Sequence, residues 1–444
     1  MTLQKLRDLL DKAVLDIKTE LNLYVHDPEH SFLRNRKLPF EKVISIMLAM
    51  EGRTINNELL YQSNCSIDTA SASAFVQQRN KIKADAFEIL FRKFTSTAVA
   101  NRNILYKGYR LLAVDGSHIQ IAANPDDVDS FVQTKEDRKP YNLIHLNAMY
   151  DVLSKIYVDA IIQKNKAANE RKALNDMVDK SSISQPVIVL ADRGYESYNV
   201  LAHIQEKQWN FLIRIQDFGK HNTGILHGFD LPGDHEFDID IDLNLTRKQT
   251  HEVKELLKDK NHYRKLNFRN FDYLPAKNKK HEPVKMYNMK FRIVRFKLTE
   301  STYEVIITNL DKNTFPPEII KELYSKRWGI ETSFRDLKYT IGLLHFHSKK
   351  VELIFQEIYS RLIMYNFSEL VTAHVVIQNK KRKHDYAINF SVAVHICREF
   401  FLKRVPPPDV EALISRYLTP VRPDRSRPRK MSEKKSISFI YRVA

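Results

Sequence analysis

Two cysteines, Cys65 and Cys397, are all that the 444 residues contain. They exclude a disulfide framework and a zinc site built on paired thiolates, and they suit a reducing cytoplasm. Long apolar runs are missing too: stretches such as 43–50 are too short to span a bilayer. The first residues lack the apolar core of a signal peptide. There is no Walker loop and no GxGxxG, which argues against nucleotide hydrolysis as the driver of a reaction. No internal repeat is present. Acidic charge is in deficit: 71 Lys and Arg against 54 Asp and Glu leave a net +17. That excess favours a polyanionic partner held through salt-dependent contacts. An anionic membrane surface is the competing partner, with nothing in the sequence for insertion. The length suffices for two or three domains.

What is there concentrates in one stretch, Tyr324-Ser-Lys-Arg327-Trp-Gly-Ile-Glu331-Thr-Ser-Phe-Arg-Asp-Leu-Lys338, or Y-x2-R-x3-E-x6-K. On a continuous helix these four residues fall within an arc of roughly 60°. One face then carries a carboxylate for a divalent metal, with cations and a phenol for phosphates. The plain alternative is a solvated face with weak ion pairs. Gly329 weakens a helix, and a break there would confine the alignment to Ile330 onward.

Two apolar, strand-like runs each end on an aspartate: 111–114 before Asp115, and 187–191 before Asp192. Buried strands read this way, and ligands of α/β sheets gather at strand ends. An Asp there is also an ordinary turn-former or helix N-cap. Three carboxylates brought to one point repel one another unless cations neutralise them, and two Mg²⁺ ions are the natural solution.

Asp115, Asp192 and Glu331, with Tyr324, Arg327 and Lys338, resemble the DDE transposases of prokaryotic insertion sequences. More narrowly, they resemble the insertion-sequence-four group, defined by the tyrosine–arginine–glutamate–lysine signature. Motifs support the resemblance over roughly 105–345. It implies an α/β, ribonuclease H-like catalytic core interrupted by a β-rich insertion domain, with helical N-terminal and C-terminal regions.

The expected division is a helical DNA-binding region at 1–105, core at 106–216, a β-rich insertion at 217–300, core with the signature helix at 301–345, helices at 346–420 and a basic tail at 421–444. Apolar spacing at Phe40, Val43, Ile44, Met47 and Leu48 predicts a helix. A second is expected near Thr54 and a third at 74–82, whose Gln77, Gln78, Arg79 and Lys81 read as a polar-basic exposed face. Runs at 142–150 and 155–163 read as a hairpin. Asp238, Asp240 and Asp242 alternate along a strand, on one solvated face rather than around a metal. Pro316 and Pro317 open a helix leading into the signature. Lys380–Lys383 reads as a basic linker, and the tail from Arg422 to Arg442 as a phosphate-binding or simply solvated segment.

The resemblance implies roles. Asp115, Asp192 and Glu331 would hold Mg²⁺ or Mn²⁺, two ions in all, one activating water or a 3′ hydroxyl and the other stabilising the leaving oxygen. Tyr324, Arg327 and Lys338 would contact phosphates. Arg193 would orient Asp192, touch DNA or hold the turn by an ion pair. His118 carries no assignment. Phe271, Tyr273 or Tyr287 could stack a flipped base, since neither Trp209 nor Trp328 lies in the insertion. The implied partners are double-stranded DNA at transposon ends and target, and a second copy in a synaptic dimer; a membrane and a nucleotide cofactor are not expected. Cut-and-paste transposition is the leading function. A stand-alone metal nuclease and an inactive DNA-binding regulator are the alternatives.

Overall fold

A computed structural model describes the chain except residues 35, 134–139, 220–223, 234, 249, 267–269, 276–283, 301, 377–384, 422–439 and 442–444. The Lys380–Lys383 linker and nearly all of the basic tail lie outside the described residues.

Six helices come first: α1 (Leu3–Thr19), α2 (Leu21–Tyr24), α3 (Phe40–Ala49), α4 (Ile55–Gln62), α5 (Ala72–Arg79) and α6 (Asp85–Ala100). Thr2, Thr54 and Ser71 cap α1, α4 and α5 by accepting backbone N–H bonds, which satisfies donors a helix start leaves open. The predicted apolar face of α3 is buried.

A ten-stranded mixed sheet follows. Its strands are β1 (Arg110–Ile121), β2 (Phe131–Val132), β3 (Tyr141–Asp151), β4 (Ile156–Lys164), β5 (Val187–Ala191), β6 (Asn210–Ile215), β7 (Phe237–Thr246), β8 (Tyr263–Lys265), β9 (Met286–Lys297) and β10 (Tyr303–Thr308). The order is β2-β3-β1-β5-β6-β10-β9-β7-β8, with β4 also on β3. Strands β1, β5 and β6 run parallel, and β3 and β10 are antiparallel to their neighbours. Lys155, in the tight β3–β4 turn, takes a positive φ of 57°.

Side chains alternate across the sheet, as the strand period demands. Leu111, Ala113, Ile188 and Leu190 face one core. Leu112, Val114, Val187, Val189 and Ala191 face the other, with α7 (Glu170–Lys180) and α8 (Tyr198–Glu206). The first core is shared by α1, α3 and α6 with α10 (Pro317–Ser325), α11 (Trp328–Tyr339), α12 (Val351–Thr372) and α13 (Phe390–Phe401), once the short α9 (His251–Leu256) of the insertion is passed.

The strands expected at 217–300 join the sheet, and the expectations for Arg79 and Asp238 are corrected. The strands within 217–300 extend the core sheet through β9 on β10, and Ile241, Met289 and Phe291 pack in the same core as Val189. β9 joins the sheet because its backbone groups pair with β10 on one side and β7 on the other. Arg79, read as exposed, is 1% accessible and donates to Gln356, the Leu353 carbonyl and Glu357 of α12. Arg361 reaches back to the carbonyls of Met50 and Glu51, and Arg398 pairs with Glu51 at 3.2 Å. A buried cation needs a partner, so these pairs tie the N-terminal helices to α12 and α13. Asp238 is not solvated either: Arg292 grips both its oxygens, at 3.0 and 2.7 Å.

Candidate active site

Strand β1 pairs in parallel with β5, ending at Ala113 opposite Leu190. Two residues further on, the same register sets Asp115 level with Asp192. Both continue the parity of Ala113 and Leu190, so both project from the face that α11 covers. Asp115 does not end its strand, as expected, because β3 keeps pairing with β1 as far as Ile121. Asp192 does: it leaves β5 and caps a tight turn, Arg193–Tyr195. The Gly116 N–H donates to Asp115 Oδ1 at 2.8 Å, and the Gly194 N–H to Asp192 Oδ1 at 2.9 Å. Each carboxylate is thus aimed by a glycine amide.

The signature spans two helices rather than one. The break falls at Lys326 and Arg327, ahead of Gly329, where N–H groups bond three residues back: Arg327 to the Tyr324 carbonyl at 3.0 Å and Ile330 to the Arg327 carbonyl at 3.2 Å. Gly329 sits inside the first turn of α11, where its cost is small. The tighter turn alters the expected arc but keeps the residues together. Arg327 is 6% exposed, donates from Nη2 to Glu331 Oε1 at 2.9 Å, and lies 5.7 Å from the Tyr324 ring.

Asp115 feels the charges around it. Burial, then the neighbouring Asp192 and, more weakly, Glu331 push the Asp115 carboxyl up to about 6, against the opposing pull of the Gly116 amide and Arg327. Arg327 supplies a counter-charge, bonded to Glu331 and acting on Asp115. Among the described residues, no group of three or more His, Cys, Asp or Glu side chains stands as a ready metal cage. Asp115, Asp192 and Glu331 bring carboxylates, the ligand type a hard divalent cation takes, from a strand, a turn and a helix.

Tyr324 is 5% exposed, and its hydroxyl has no hydrogen-bond partner among the described residues; the same is true of Arg327 Nε. Burial raises the Tyr324 phenol to about 12. Lys338 lies on the last turn of α11, and its Nζ donates to the His118 carbonyl at 3.3 Å. Arg193 is exposed and, among the described residues, forms no ion pair. The aromatic residues offered for base stacking are packed on one another: Phe271 is buried, with Tyr287 at 5.2 Å and Tyr273 at 6.1 Å, and Tyr287 donates to Glu206 of α8. Phe271 belongs to the core that Val189 lines, and Tyr273 and Tyr287 pack against it. Trp328 is half exposed, with the Arg327 guanidinium 4.9 Å from its ring.

Two residues went unremarked in the sequence. Glu170, first in α7, sets Oε1 3.0 Å from His145 Nε2 of β3, and the contact holds the Glu170 carboxyl below its usual range. The His118 and His145 rings lie 4.6 Å apart. Only a strand register could have brought these positions together.

Comparison with known proteins bears on the family. A family model described as a transposase DDE domain matches residues 106–367. The Escherichia coli (strain K12) transposase InsG for insertion sequence element IS4 is 22% identical over 348 residues, 75% of this chain and 70% of that one. A cryo-EM structure of the piggyBac transposase synaptic complex with hairpin DNA aligns over 94% of this chain and 84% of that chain, at 10% identity and a TM-score of 0.41, a likeness too weak to draw on. No helix among the described residues is long and apolar enough to cross a membrane. The chain belongs to the transposase DDE domain family and is a transposase of the insertion-sequence-four type.

Proposed function

We propose that this chain binds the two ends of its own insertion sequence, cuts them in a metal-dependent reaction and joins the freed 3′ ends to target DNA. The reading rests on one observation: Asp115 of β1, Asp192 just past the end of β5 and Glu331 of α11 lie near enough for the charges of the last two to act on the first. The order β4-β3-β1-β5-β6, with only β3 reversed between β4 and β1 neighbours, supports a ribonuclease H-like core.

In this reading Asp115, Asp192 and Glu331 hold the divalent ions, Mg²⁺ or Mn²⁺. When bound, such ions activate a water or 3′ hydroxyl and stabilise the leaving oxygen. The chain's own groups do the rest. Gly116 and Gly194 amides fix the aspartate oxygens before substrate arrives. Arg327 and Tyr324 offer buried polar atoms that lack partners, and a scissile phosphate would satisfy them, regaining the roughly 1–3 kcal/mol that an unmet buried group costs. Lys338 and the exposed Arg193 take flanking phosphates. Net charge of +17 supplies the attraction for DNA along its whole length. A dimer holding both ends completes the assembly, in the cytoplasm.

The test is to incubate the full chain with DNA carrying the gene's own flanks, in Mg²⁺ or EDTA. Cuts at both ends and joined products that need Mg²⁺ support transposition. Cuts without any joined product favour the stand-alone nuclease, and binding without cuts favours the inactive regulator.

A further inference from the structure

We propose that Glu170 is a positioning residue of this site, acting from the opposite face of the sheet on the two glycines that aim Asp115 and Asp192. The inference rests on the reading of those aspartates as the metal-holding acids.

A glutamate in a first helical turn ordinarily needs nothing beyond the helix dipole. Glu170 has far more around it. A Cβ added to Gly116 would overlap both Glu170 Oε1 and His145 Nε2. A Cβ added to Gly194 would come 3.5 Å from Glu170 Oε2 and 3.0 Å from Asp192 Oδ1. One carboxylate therefore lies against the two backbone units whose N–H groups orient the two catalytic candidates. Parity places it behind the sheet, because Gly116 faces away from Asp115. Its neighbour Arg171 donates from Nε to the Gly194 carbonyl at 2.8 Å, so the helical turn that carries Glu170 also holds the Asp192 turn.

That turn is itself anchored. Gln163 Oε1 on β4 accepts from Asn147 Nδ2 of β3 and from the Asn169 N–H, each at 3.0 Å. Asn169 then caps α7. His145, 3% exposed, faces Gln163 across the β3–β4 pair and holds Glu170 at ion-pair distance, although neither ring nitrogen meets hydrogen-bond geometry. The run Asn147, Gln163, Asn169, Glu170 thus transmits the position of the β3–β4 edge to both aspartates. Ligand orientation by such outer contacts commonly governs metal affinity.

Mn²⁺ binding to the full, metal-free chain tests this, measured by titration calorimetry and by the spin-resonance signal of free Mn²⁺, alongside the Mg²⁺ dependence of end cleavage. Glu170→Ala is expected to raise the Mn²⁺ dissociation constant and the Mg²⁺ needed for half-maximal cleavage on the order of tenfold, with saturating Mg²⁺ restoring much of the rate. Glu170→Gln, which keeps the shape, should recover most of the affinity. Gly116→Ala, which keeps both charges but fills their space, should reproduce the loss. Unchanged Mn²⁺ and Mg²⁺ dependences in Glu170→Ala overturn the proposal, even if its melting temperature falls; if that variant does not fold, unchanged dependences in Gly116→Ala do so. Asp115→Asn separates the layers. If it weakens Mn²⁺ binding while Glu170→Ala does not, only the role of Glu170 fails. If Asp115→Asn also binds Mn²⁺ normally, the reading of the site itself fails.

Discussion

Asp115 and Asp192 each lie two residues past the paired Ala113 and Leu190, the first within β1 and the second just beyond β5, and each accepts a glycine N–H. Burial, with the Asp192 charge added to it, disfavours the charged form of Asp115. The proximity is a property of the sheet register, not of chain spacing.

A stability test follows from the raised Asp115 carboxyl. Its folded value of about 6 exceeds its ordinary 3.8, chiefly through burial. Between those values the folded chain holds a proton the unfolded chain has released, so stability falls as pH rises through that window. Asp115→Asn removes the effect. The metal-free variant should be more stable than wild type at pH 7.5 by about 1–3 kcal/mol, with the gap closing below pH ~4. Denaturant melts at both pH values check this; a variant less stable at pH 7.5 contradicts it.

Tyr324→Phe deletes a buried hydroxyl that has no partner. Without DNA, the variant should melt at or slightly above the wild-type temperature, since no hydrogen bond is lost. End cleavage should slow at the same time. A clear drop in melting temperature would mean that the hydroxyl is already satisfied in the free protein.

Much of the fold was legible in the sequence, for reasons tied to period. The α3 face and the β3–β4 hairpin read directly from apolar spacing, and both aspartates announced themselves by closing apolar runs. What was not legible depended on tertiary pairing. Arg79 looked like a surface cation because its partner Glu357 lies far along the chain. The insertion's strands gave no sign that β9 would join β10 rather than close on themselves. Phe271, Tyr273 and Tyr287 looked available for a base because their mutual packing on α8 needs the fold. The helix break at Lys326 and Arg327 involves no Pro or Gly, so no local signal marked it.

Glu357 gives a test of how the N-terminal helices are held. Burial opposes its charge, but Arg79 and then His347 overcome this and hold its carboxyl at about 2. The depressed value contributes stability that is fully present above the ordinary carboxylate value of 4.5 and lost as pH falls through 2. Glu357→Gln should cost about 3–5 kcal/mol at pH 7, because Arg79 is left buried without its counter-charge. Urea unfolding should show the deficit shrinking below pH ~4. A deficit constant down to pH 2 would point to packing alone.

Lys338→Ala should weaken binding to the gene's end DNA and lower the slope of log affinity against log salt by about 0.9, one phosphate's worth. Fluorescence anisotropy across a salt series measures it. An unchanged slope takes Lys338 out of the DNA contact.

The most direct measurement is cleavage of the gene's own flanks by wild type and by Glu331→Gln, with Mg²⁺, beside their DNA affinities. Glu331→Gln keeps the side chain's shape and its reach to Arg327 while removing the charge. The expected result is metal-dependent cutting by wild type, none by the variant, and end binding by both. Normal cutting by Glu331→Gln would contradict the assignment of the site.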